Sequence, residues 1–264
     1  MRPSVSVLSV DEAVAQAAAG AVVLDARGHR QRGLRFIRGA SRFAWSQTCT
    51  GAVRSGRLGP AELLAERFGA AGVSWDDPVL VVGAGSAGWG EGARVAWTLD
   101  WLGHPAVSWC PLSGSWPRWP SLSAGGTRAP WPGSVRAGLR PHAGWSHEAS
   151  WTVLDVRQAD EFAGACRYGE ARGGHVPGAC HLPLTELWSL AGVHGGIQAR
   201  LASAGIGAED DLVTICTGGV RSAAAAVLLA ASGHQGAIRH DEGGMWAWSA
   251  DATRPMAVGH AQGS

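Results

Sequence analysis

Leu212–Ser222, with the sequence LVTICTGGVRS, is the stretch that decides the fold. A short run rich in β-branched residues ends at Cys216, a loop with two adjacent glycines follows, and an alanine-rich helical segment begins at Ser222. This order places the sulfur of Cys216 over a helix N-terminus, where N–H groups converge and the helix dipole adds partial positive charge. Such surroundings stabilise a thiolate, the nucleophilic form of cysteine. The stretch therefore predicts a catalytic nucleophile at Cys216, although a cysteine at a strand end is more often simply buried.

Size and composition indicate a globular protein with room for two domains. The chain has 264 residues, of which 46% are hydrophobic and 16% charged, so each half can bury a core. The formal net charge of +1 gives no support for nucleic-acid binding or for a polybasic membrane contact. The longest purely apolar run, Ala223–Ala231, is too short to span a bilayer, and Asp11 and Glu12 interrupt any signal-peptide segment.

The cysteines indicate a reducing compartment, and we expect a cytoplasmic location. There are five of them, at scattered spacings: Cys49, Cys110, Cys166, Cys180 and Cys216. The number is odd and no CxxC pair suggests a zinc site or a dithiol couple. We therefore expect no metal, no cofactor and no disulfide framework.

The chain matches itself at an offset near 130 residues. Five matches occur in the same order in both halves: 23–27 with 153–157, 37–40 with 176–179, 76–82 with 210–216, 102–104 with 231–234, and 114–119 with 243–248. They predict two homologous tandem domains, at residues 1–120 and 148–264. Between them, residues 121–147 are rich in Pro, Gly, Ser and Arg, which is typical of a linker.

Each half alternates short apolar strands with helical segments, which is typical of α/β domains with a mainly parallel sheet flanked by helices. Strands are predicted near residues 22–25, 79–83, 106–109, 152–155, 212–216 and 236–239. Helices are predicted near residues 10–19, 59–71, 90–102, 158–163, 197–204 and 222–232.

The first half has Val82 where the repeat places Cys216, so it lacks the nucleophile. The glycine-rich loop that follows, 83–88, also satisfies the GxGxxG dinucleotide fingerprint. That fingerprint expects an acidic residue about 20 residues later at the end of a strand, but Asp100 lies within a predicted helix. Equivalence with the Cys216 loop therefore explains these glycines better than nucleotide binding does.

Four motifs in order resemble the rhodanese family, specifically its two-domain sulfurtransferases. They are Leu154–Arg157, Gly174–Ala179, the C-x-x-G-x-R-S loop Cys216–Ser222, and Asp241–Trp248, and the resemblance covers nearly the whole chain. It implies an inactive N-terminal domain packed against a catalytic C-terminal domain, with the pocket between them. It also implies that the Cys216 thiolate takes sulfur from a small anionic donor such as thiosulfate. The persulfide sulfur would then pass to cyanide, a thiol or a protein acceptor.

The resemblance assigns further site residues. Arg172 matches an arginine that binds substrate anions in the two-domain enzymes. The residues after the nucleophile are expected to bind the donor: Thr217, Gly218, Gly219, Val220 and Arg221. Arg221 contacts the donor or, as its place in the first helical turn favours, pairs with Asp155 or Glu161 and holds the loop. Asp155 and His175 are expected to give structural support.

The donor stays open between thiosulfate and 3-mercaptopyruvate. Thr217 and Gly218 stand where thiosulfate-preferring members carry basic residues, and mercaptopyruvate-preferring members have the reverse order, Gly then Ser or Thr. Thiosulfate is favoured because Arg172 and Arg221 together would offer two positive charges to a dianion.

Two other functions are alternatives. Rhodanese-fold phosphatases have a C-x5-R loop, whereas Arg221 follows Cys216 after four residues, which argues against a phosphatase. A non-catalytic carrier that passes a persulfide to a partner protein shares the loop chemistry and stays open.

Overall fold

The computed structural model describes residues 1–33, 35–51, 55–114, 116–122, 131, 134–140, 145–147 and 150–259. The chain divides into two compact units. The first unit comprises Ser4–Thr50 and Gly59–Ala137, and the second comprises Met1–Pro3, Gly51–Leu58 and Gly138–Ser264. The predicted domain boundaries at 120 and 148 stay a prediction, because about half of the predicted linker 121–147 lies outside the described residues.

The first unit contains a five-stranded parallel sheet in the order β1-β5-β4-β2-β3. Its strands are β1 (Ser6–Val7), β2 (Val22–Asp25), β3 (Ser41–Arg42), β4 (Val79–Gly83) and β5 (Val107–Pro111). Its helices are α1 (Val10–Ala18), α2 (His29–Arg32), α3 (Ala61–Ala70) and α4 (Glu91–Trp101), with 3-10 turns at Trp45–Thr48 and Gly85–Ala87. A further 3-10 turn covers Ala137–Leu139. Every residue of β4 is buried, which is why this interior strand is a continuous apolar run.

The second unit contains a four-stranded parallel sheet in the order β7-β6-β8-β9. Its strands are β6 (Thr152–Asp155), β7 (Cys180–His181), β8 (Leu212–Ile215) and β9 (Ile238–His240). Its helices are α5 (Ala159–Ala163), α6 (Leu184–Leu190), α7 (Gly196–Ser203), α8 (Val220–Ala231) and α9 (Gly244–Ala250). The six strands and six helices predicted from sequence are all present, with ends that agree within two residues. In the described part of the chain, no helix is both long and apolar enough to cross a membrane.

The internal repeat is also present in the strand order of the two sheets. Read from the opposite edge, the second sheet has the order β9-β8-β6-β7, which matches β5-β4-β2-β3 of the first sheet. The equivalent strands β2 and β6 end in the same buried ion pair, Arg27 with Asp25 and Arg157 with Asp155. The two halves therefore share the strand order and the turn that ends an equivalent strand.

The strand registers correct one detail of the predicted repeat. The last residue of β2 pairs with Val82, and the last residue of β6 pairs with Ile215, so these two are equivalent. Gly83, rather than Val82, stands at the position of Cys216. The first unit leaves no room for a side chain there, since a Cβ on Gly83 would lie 2.9 Å from Nε1 of Trp109. The first half thus lacks both the sulfur and the space for it.

Candidate active site

The loop between β8 and α8 holds Cys216 at the end of an interior strand. Gly219, the residue before α8, has a φ of 81°, in the left-handed region that favours glycine. The Gly219 N–H donates to the Sγ atom of Cys216 at 3.2 Å, and the Ser222 hydroxyl in the first turn of α8 donates to the same sulfur at 3.3 Å. Cys216 is 1% exposed. Two donors on a buried sulfur stabilise its anionic form.

The N-terminal end of α9 binds carbonyl groups of the same loop. The Met245 N–H donates to the Cys216 carbonyl at 2.8 Å, and the Trp246 N–H donates to the Thr217 carbonyl at 2.9 Å. This approach needs Gly244, whose φ is +54° and whose Cβ, if present, would lie 2.3 Å from the Cys216 carbonyl oxygen. The loop carbonyls are thus bound by α9, and the sulfur is bound by the Gly219 N–H and the Ser222 hydroxyl.

Gly218 is required by a close contact with an aromatic ring. A Cβ at this position would lie 2.1 Å from Cζ3 of Trp246. The Trp246 indole N–H donates to the Tyr168 carbonyl at 3.0 Å, which fixes the ring. The segment Ser55–Leu58 also reaches the loop, since a Cβ on Gly56 would lie 2.8 Å from the Gly218 carbonyl oxygen. The ring and the segment together enclose the loop backbone.

Arg221 is bound to Glu161, one of the two partners expected for it. Its Nη1 donates to Oε2 at 2.6 Å and its Nη2 to Oε1 at 2.7 Å, and the two side chains are 5% and 0% exposed. Its Nη2 also donates to the Thr217 hydroxyl at 2.8 Å. Glu161 lies in the first turn of α5, where its Oε2 accepts from the Gln158 N–H at 3.1 Å; the helix start thus orients the carboxylate. The pair connects α5, α8 and the Cys216 loop.

The two charges shift each other's pKa. Burial acts to raise the pKa of Glu161, but the hydrogen bond and charge of Arg221 outweigh it and hold this pKa below its ordinary value of 4.5. Burial acts to lower the pKa of Arg221, but the hydrogen bonds that it donates to Glu161 and the charges of Cys216 and Glu161 raise it above its ordinary value. Both groups are therefore charged at neutral pH, and Cys216 lies in the field of a fixed cation.

A second buried carboxylate, Glu170, lies against Thr217. It is 8% exposed, its Oε2 accepts from the Tyr168 N–H at 2.9 Å, and its Oε1 lies 3.3 Å from the Thr217 hydroxyl. The same hydroxyl lies 2.9 Å from Oε1 of Glu161; it has one proton, so it donates to one carboxylate at a time. The Thr217 side chain therefore contacts carboxylates, and binding of a donor by Thr217 would use its backbone N–H.

The hydrogen bonds of Arg172 go to the end of α9 and not to the Cys216 loop. Its guanidinium donates to backbone carbonyls near the C-terminal end of α9, those of Trp248, Ser249, Asp251 and Arg254, at 2.6–3.4 Å. Carbonyls at a helix C-terminus attract a cation, and this end of α9 is opposite to the end that contacts the loop. Arg172 thus binds the end of α9, and these contacts give no support to its predicted role in donor binding.

The remaining predicted residues have contacts that hold the backbone. Asp155 is fully buried and accepts from Arg157 at 2.6–3.0 Å. His175 stacks on Phe162 with ring centroids 3.6 Å apart, and its Nδ1 lies 2.8 Å from the Phe162 carbonyl oxygen. Val220 is the half-buried first residue of α8. Donor binding by Val220 and by the other loop residues stays a prediction.

Asp241 shapes the turn that precedes α9. Its Oδ1 accepts from the N–H groups of Gly243 and Gly244 at 3.1 and 3.2 Å, and its Oδ2 accepts from the Trp145 indole at 3.1 Å. Burial and the neighbouring charge of Glu242 raise the pKa of Asp241 to about 6. The turn that brings α9 to the loop thus depends on a carboxyl group that titrates near neutral pH.

Sequence reasoning missed several of these contacts. Ser222 and Trp246 lie within motifs that the sequence singles out, but their residue types alone carry no signal of contact with the loop. Glu170 and Gly56 lie outside every motif and give no signal at all. Within the described residues, no group of three or more His, Cys, Asp or Glu side chains is placed to hold a metal ion.

Each of the two units is an α/β unit with a parallel sheet, and in one of them a cysteine is bound by hydrogen-bond donors. The fold and the site thus define an α/β protein with a thiol site. Residues 142–251 match the family described as the rhodanese-like domain. By this match, residues 142–251 are a rhodanese-like domain.

Known proteins share sequence with part of the chain and fold with nearly all of it. A protein of Mycobacterium tuberculosis (strain ATCC 25618 / H37Rv), named "Putative thiosulfate sulfurtransferase SseB", is 32% identical over 114 residues, which are 42% of this chain and 39% of that protein. The match thus spans well under half the length of the curated relative. Tum1 from Saccharomyces cerevisiae has a TM-score of 0.75 at 17% identity and covers 98% of this chain and 100% of its own. SseA from Escherichia coli, described among 3-mercaptopyruvate sulfotransferases, has a TM-score of 0.69 at 21% identity, covering 91% of this chain and 99% of its own.

The structural matches at these identities establish the fold. They extend over both units and agree with the predicted α/β architecture of two tandem rhodanese-like domains.

Proposed function

We propose that the chain is a sulfurtransferase that moves a sulfane sulfur from a small anionic donor to a thiophilic acceptor through a Cys216 persulfide. The observation that carries the proposal is the sulfur itself, which accepts from the Gly219 N–H and the Ser222 hydroxyl while α9 binds the loop carbonyls. The match of residues 142–251 to the rhodanese-like domain supports the same chemistry.

The proposed reaction has two steps that balance at the Cys216 sulfur. The thiolate attacks the outer sulfur of the donor; an S–S bond to Cys216 forms, and the donor's own bond to that sulfur breaks, with its electron pair on the leaving group. With thiosulfate the leaving group is sulfite. An acceptor such as cyanide or a thiol then attacks the outer sulfur, and the electron pair of the broken S–S bond returns to Cys216. The amide and hydroxyl donors stabilise the thiolate that begins and ends the cycle.

Thiosulfate is the first donor to test, and 3-mercaptopyruvate is the alternative. The argument from two arginines weakens, because Arg172 donates to carbonyls of α9 and Arg221 is paired with Glu161. Thiosulfate is supported by the name of the M. tuberculosis relative, and 3-mercaptopyruvate by the description of SseA. The acceptor is proposed to be cyanide or a small thiol, with a protein thiol as the alternative.

Intact-mass analysis after incubation with thiosulfate or, separately, with 3-mercaptopyruvate tests this proposal. We expect a gain of about 32 Da, one sulfur, on the parental protein and none on Cys216→Ser. Cys180→Ser is the matched control, because burial raises the pKa of the Cys180 thiol and disfavours its thiolate. Loss of the added mass in Cys180→Ser, with retention in Cys216→Ser, would refute the assignment. Turnover with cyanide identifies an enzyme, whereas release of sulfur to protein thiols alone identifies a carrier.

A further inference from the structure

Ser222 donates the second hydrogen bond to the sulfur of Cys216. It is 0% exposed, and its hydroxyl lies 3.3 Å from Sγ. The Ser222 carbonyl accepts from the Thr214 hydroxyl at 2.9 Å, so a contact independent of the side chain connects the first turn of α8 to β8. The hydroxyl is thereby held against the reacting atom.

In the first unit, which lacks the nucleophile, the residue equivalent to Ser222 can be identified. α4 and α8 end in equivalent turns at Gly103–His104 and Gly233–His234. The same offset of 130 residues places Gly92 at the position of Ser222. Gly92 packs directly on Gly83, since a Cβ on Gly92 would lie 2.7 Å from the Gly83 Cα. The second unit therefore has both the hydroxyl and the sulfur, and the first unit has glycine at both positions.

We propose that Ser222 is a catalytic hydrogen-bond donor whose main role is to stabilise the charge that returns to Sγ of Cys216 when the persulfide sulfur leaves. The proposal rests on the proposed sulfur transfer through Cys216.

The two half-reactions place charge on Sγ in opposite ways. In loading, Sγ attacks, its bond to the donor sulfur forms, and its negative charge decreases. In transfer, the acceptor attacks the outer sulfur, the Sγ–S bond breaks, and the electron pair returns to Sγ as a thiolate. A donor to Sγ lowers the basicity of the thiolate, which makes it a weaker nucleophile in loading and a better leaving group in transfer. Ser222 therefore assists transfer at some cost to the intrinsic rate of loading.

The first measurement is the pH dependence of iodoacetamide alkylation at Cys216, followed by mass spectrometry of its peptide. Ser222→Ala removes one charge-assisted hydrogen bond, so we expect the alkylation midpoint to rise by about one pH unit or more. Ser232→Ala is the matched control at the other end of α8, where the hydroxyl accepts from Gln198 at 2.9 Å. It should keep the parental midpoint. Ser222→Gly is the second variant, because the first unit carries glycine at this position.

The second measurement separates loading from transfer, at a pH where the thiolate is fully formed. Loading from thiosulfate or 3-mercaptopyruvate should be about threefold faster in Ser222→Ala, because nucleophilicity rises with thiol basicity. Transfer of the persulfide sulfur to cyanide should be slower by about threefold to tenfold. Ser222→Thr keeps the hydroxyl and should restore both rates towards the parental values.

Three outcomes decide between the proposals. Equal alkylation midpoints in Ser222→Ala, Ser222→Gly and Ser232→Ala would overturn the role of Ser222, and so would loading and transfer that slow by the same factor. If the parental protein loads from neither donor, the proposed function fails instead. The alkylation midpoints then still measure whether Ser222 stabilises the thiolate.

Discussion

Replacing Glu161 by glutamine tests the ion pair that holds the Cys216 loop. The two carboxylate oxygens of Glu161 accept from Arg221, Thr217 and Gln158 at 2.6–3.1 Å. Both oxygens face donors, so either orientation of the glutamine amide places its NH₂ group against an N–H of Arg221. The substitution therefore removes the counter-charge of a buried guanidinium and adds a donor–donor contact.

The expected cost follows from the burial of the pair. The side chains of Arg221 and Glu161 are 5% and 0% exposed, so solvent does not screen the charge that remains. Loss of one partner from a buried ion pair costs about 3–5 kcal/mol. We expect Glu161→Gln to lower the free energy of unfolding by that amount. The matched control is Glu186→Gln, which breaks the pair with Arg200, whose side chains are 38% and 30% exposed. Its expected cost is below about 1 kcal/mol.

Urea unfolding followed by tryptophan fluorescence measures both variants, and alkylation of Cys216 reports whether the loop is intact. The pKa of Glu161 lies below its ordinary value in the folded protein. Its contribution to stability is therefore full above pH 4.5 and is lost as the pH falls through the lower folded value. The difference between parental protein and Glu161→Gln should shrink on acidification. An effect of Glu161→Gln no larger than that of Glu186→Gln, or one that does not change with pH, would refute the reasoning.

Two further predictions concern the contacts around the loop. Gly218→Ala places a Cβ 2.1 Å from the Trp246 ring; thermal unfolding should show a clear loss of stability, whereas Gly192→Ala, where a Cβ meets nothing within 4 Å, should show little change. Asp241 should titrate with a midpoint of about 6 in residue-specific carboxyl NMR, because burial and the charge of Glu242 raise its pKa. The stability that protonated Asp241 contributes at low pH is then lost as the pH rises through 6; a midpoint near its ordinary value of 3.8 would contradict the structure.

The long elements were predictable because each carries its own pattern. β4 and β8 are interior strands of parallel sheets, so they are continuous apolar runs that periodicity finds. β3 (Ser41–Arg42) and β7 (Cys180–His181) are two residues long and form only through their pairing with β2 and β6. A strand that exists only through its partner leaves no pattern in its own residues.

The site divides in the same way between local and distant contacts. Cys216 and its glycines lie within one strand, loop and helix, so the chemistry of the loop follows from eleven consecutive residues. The sequence leaves the partner of Arg221 open between Asp155 and Glu161. In the structure Arg157 pairs with Asp155, so Arg221 pairs with Glu161. Sequence alone did not settle this competition between two arginines for two carboxylates.

The loop of the first unit shows why a shared backbone does not carry a shared function. There the N–H of Trp89 donates at 2.8 Å to Oε2 of Glu91, the first residue of α4. Glu91 is 8% exposed, and a Cβ on Gly88 would lie 2.7 Å from the same oxygen. Amide groups at a helix N-terminus favour an anion, and the first unit supplies one from its own chain. A nucleotide phosphate would have to displace that carboxylate, which is a physical reason against the dinucleotide interpretation of these glycines. In the second unit the corresponding loop surrounds the sulfur of Cys216. This sulfur loses its negative charge when it bonds to the donor sulfur and regains it when the persulfide sulfur is transferred, as the proposed reaction requires.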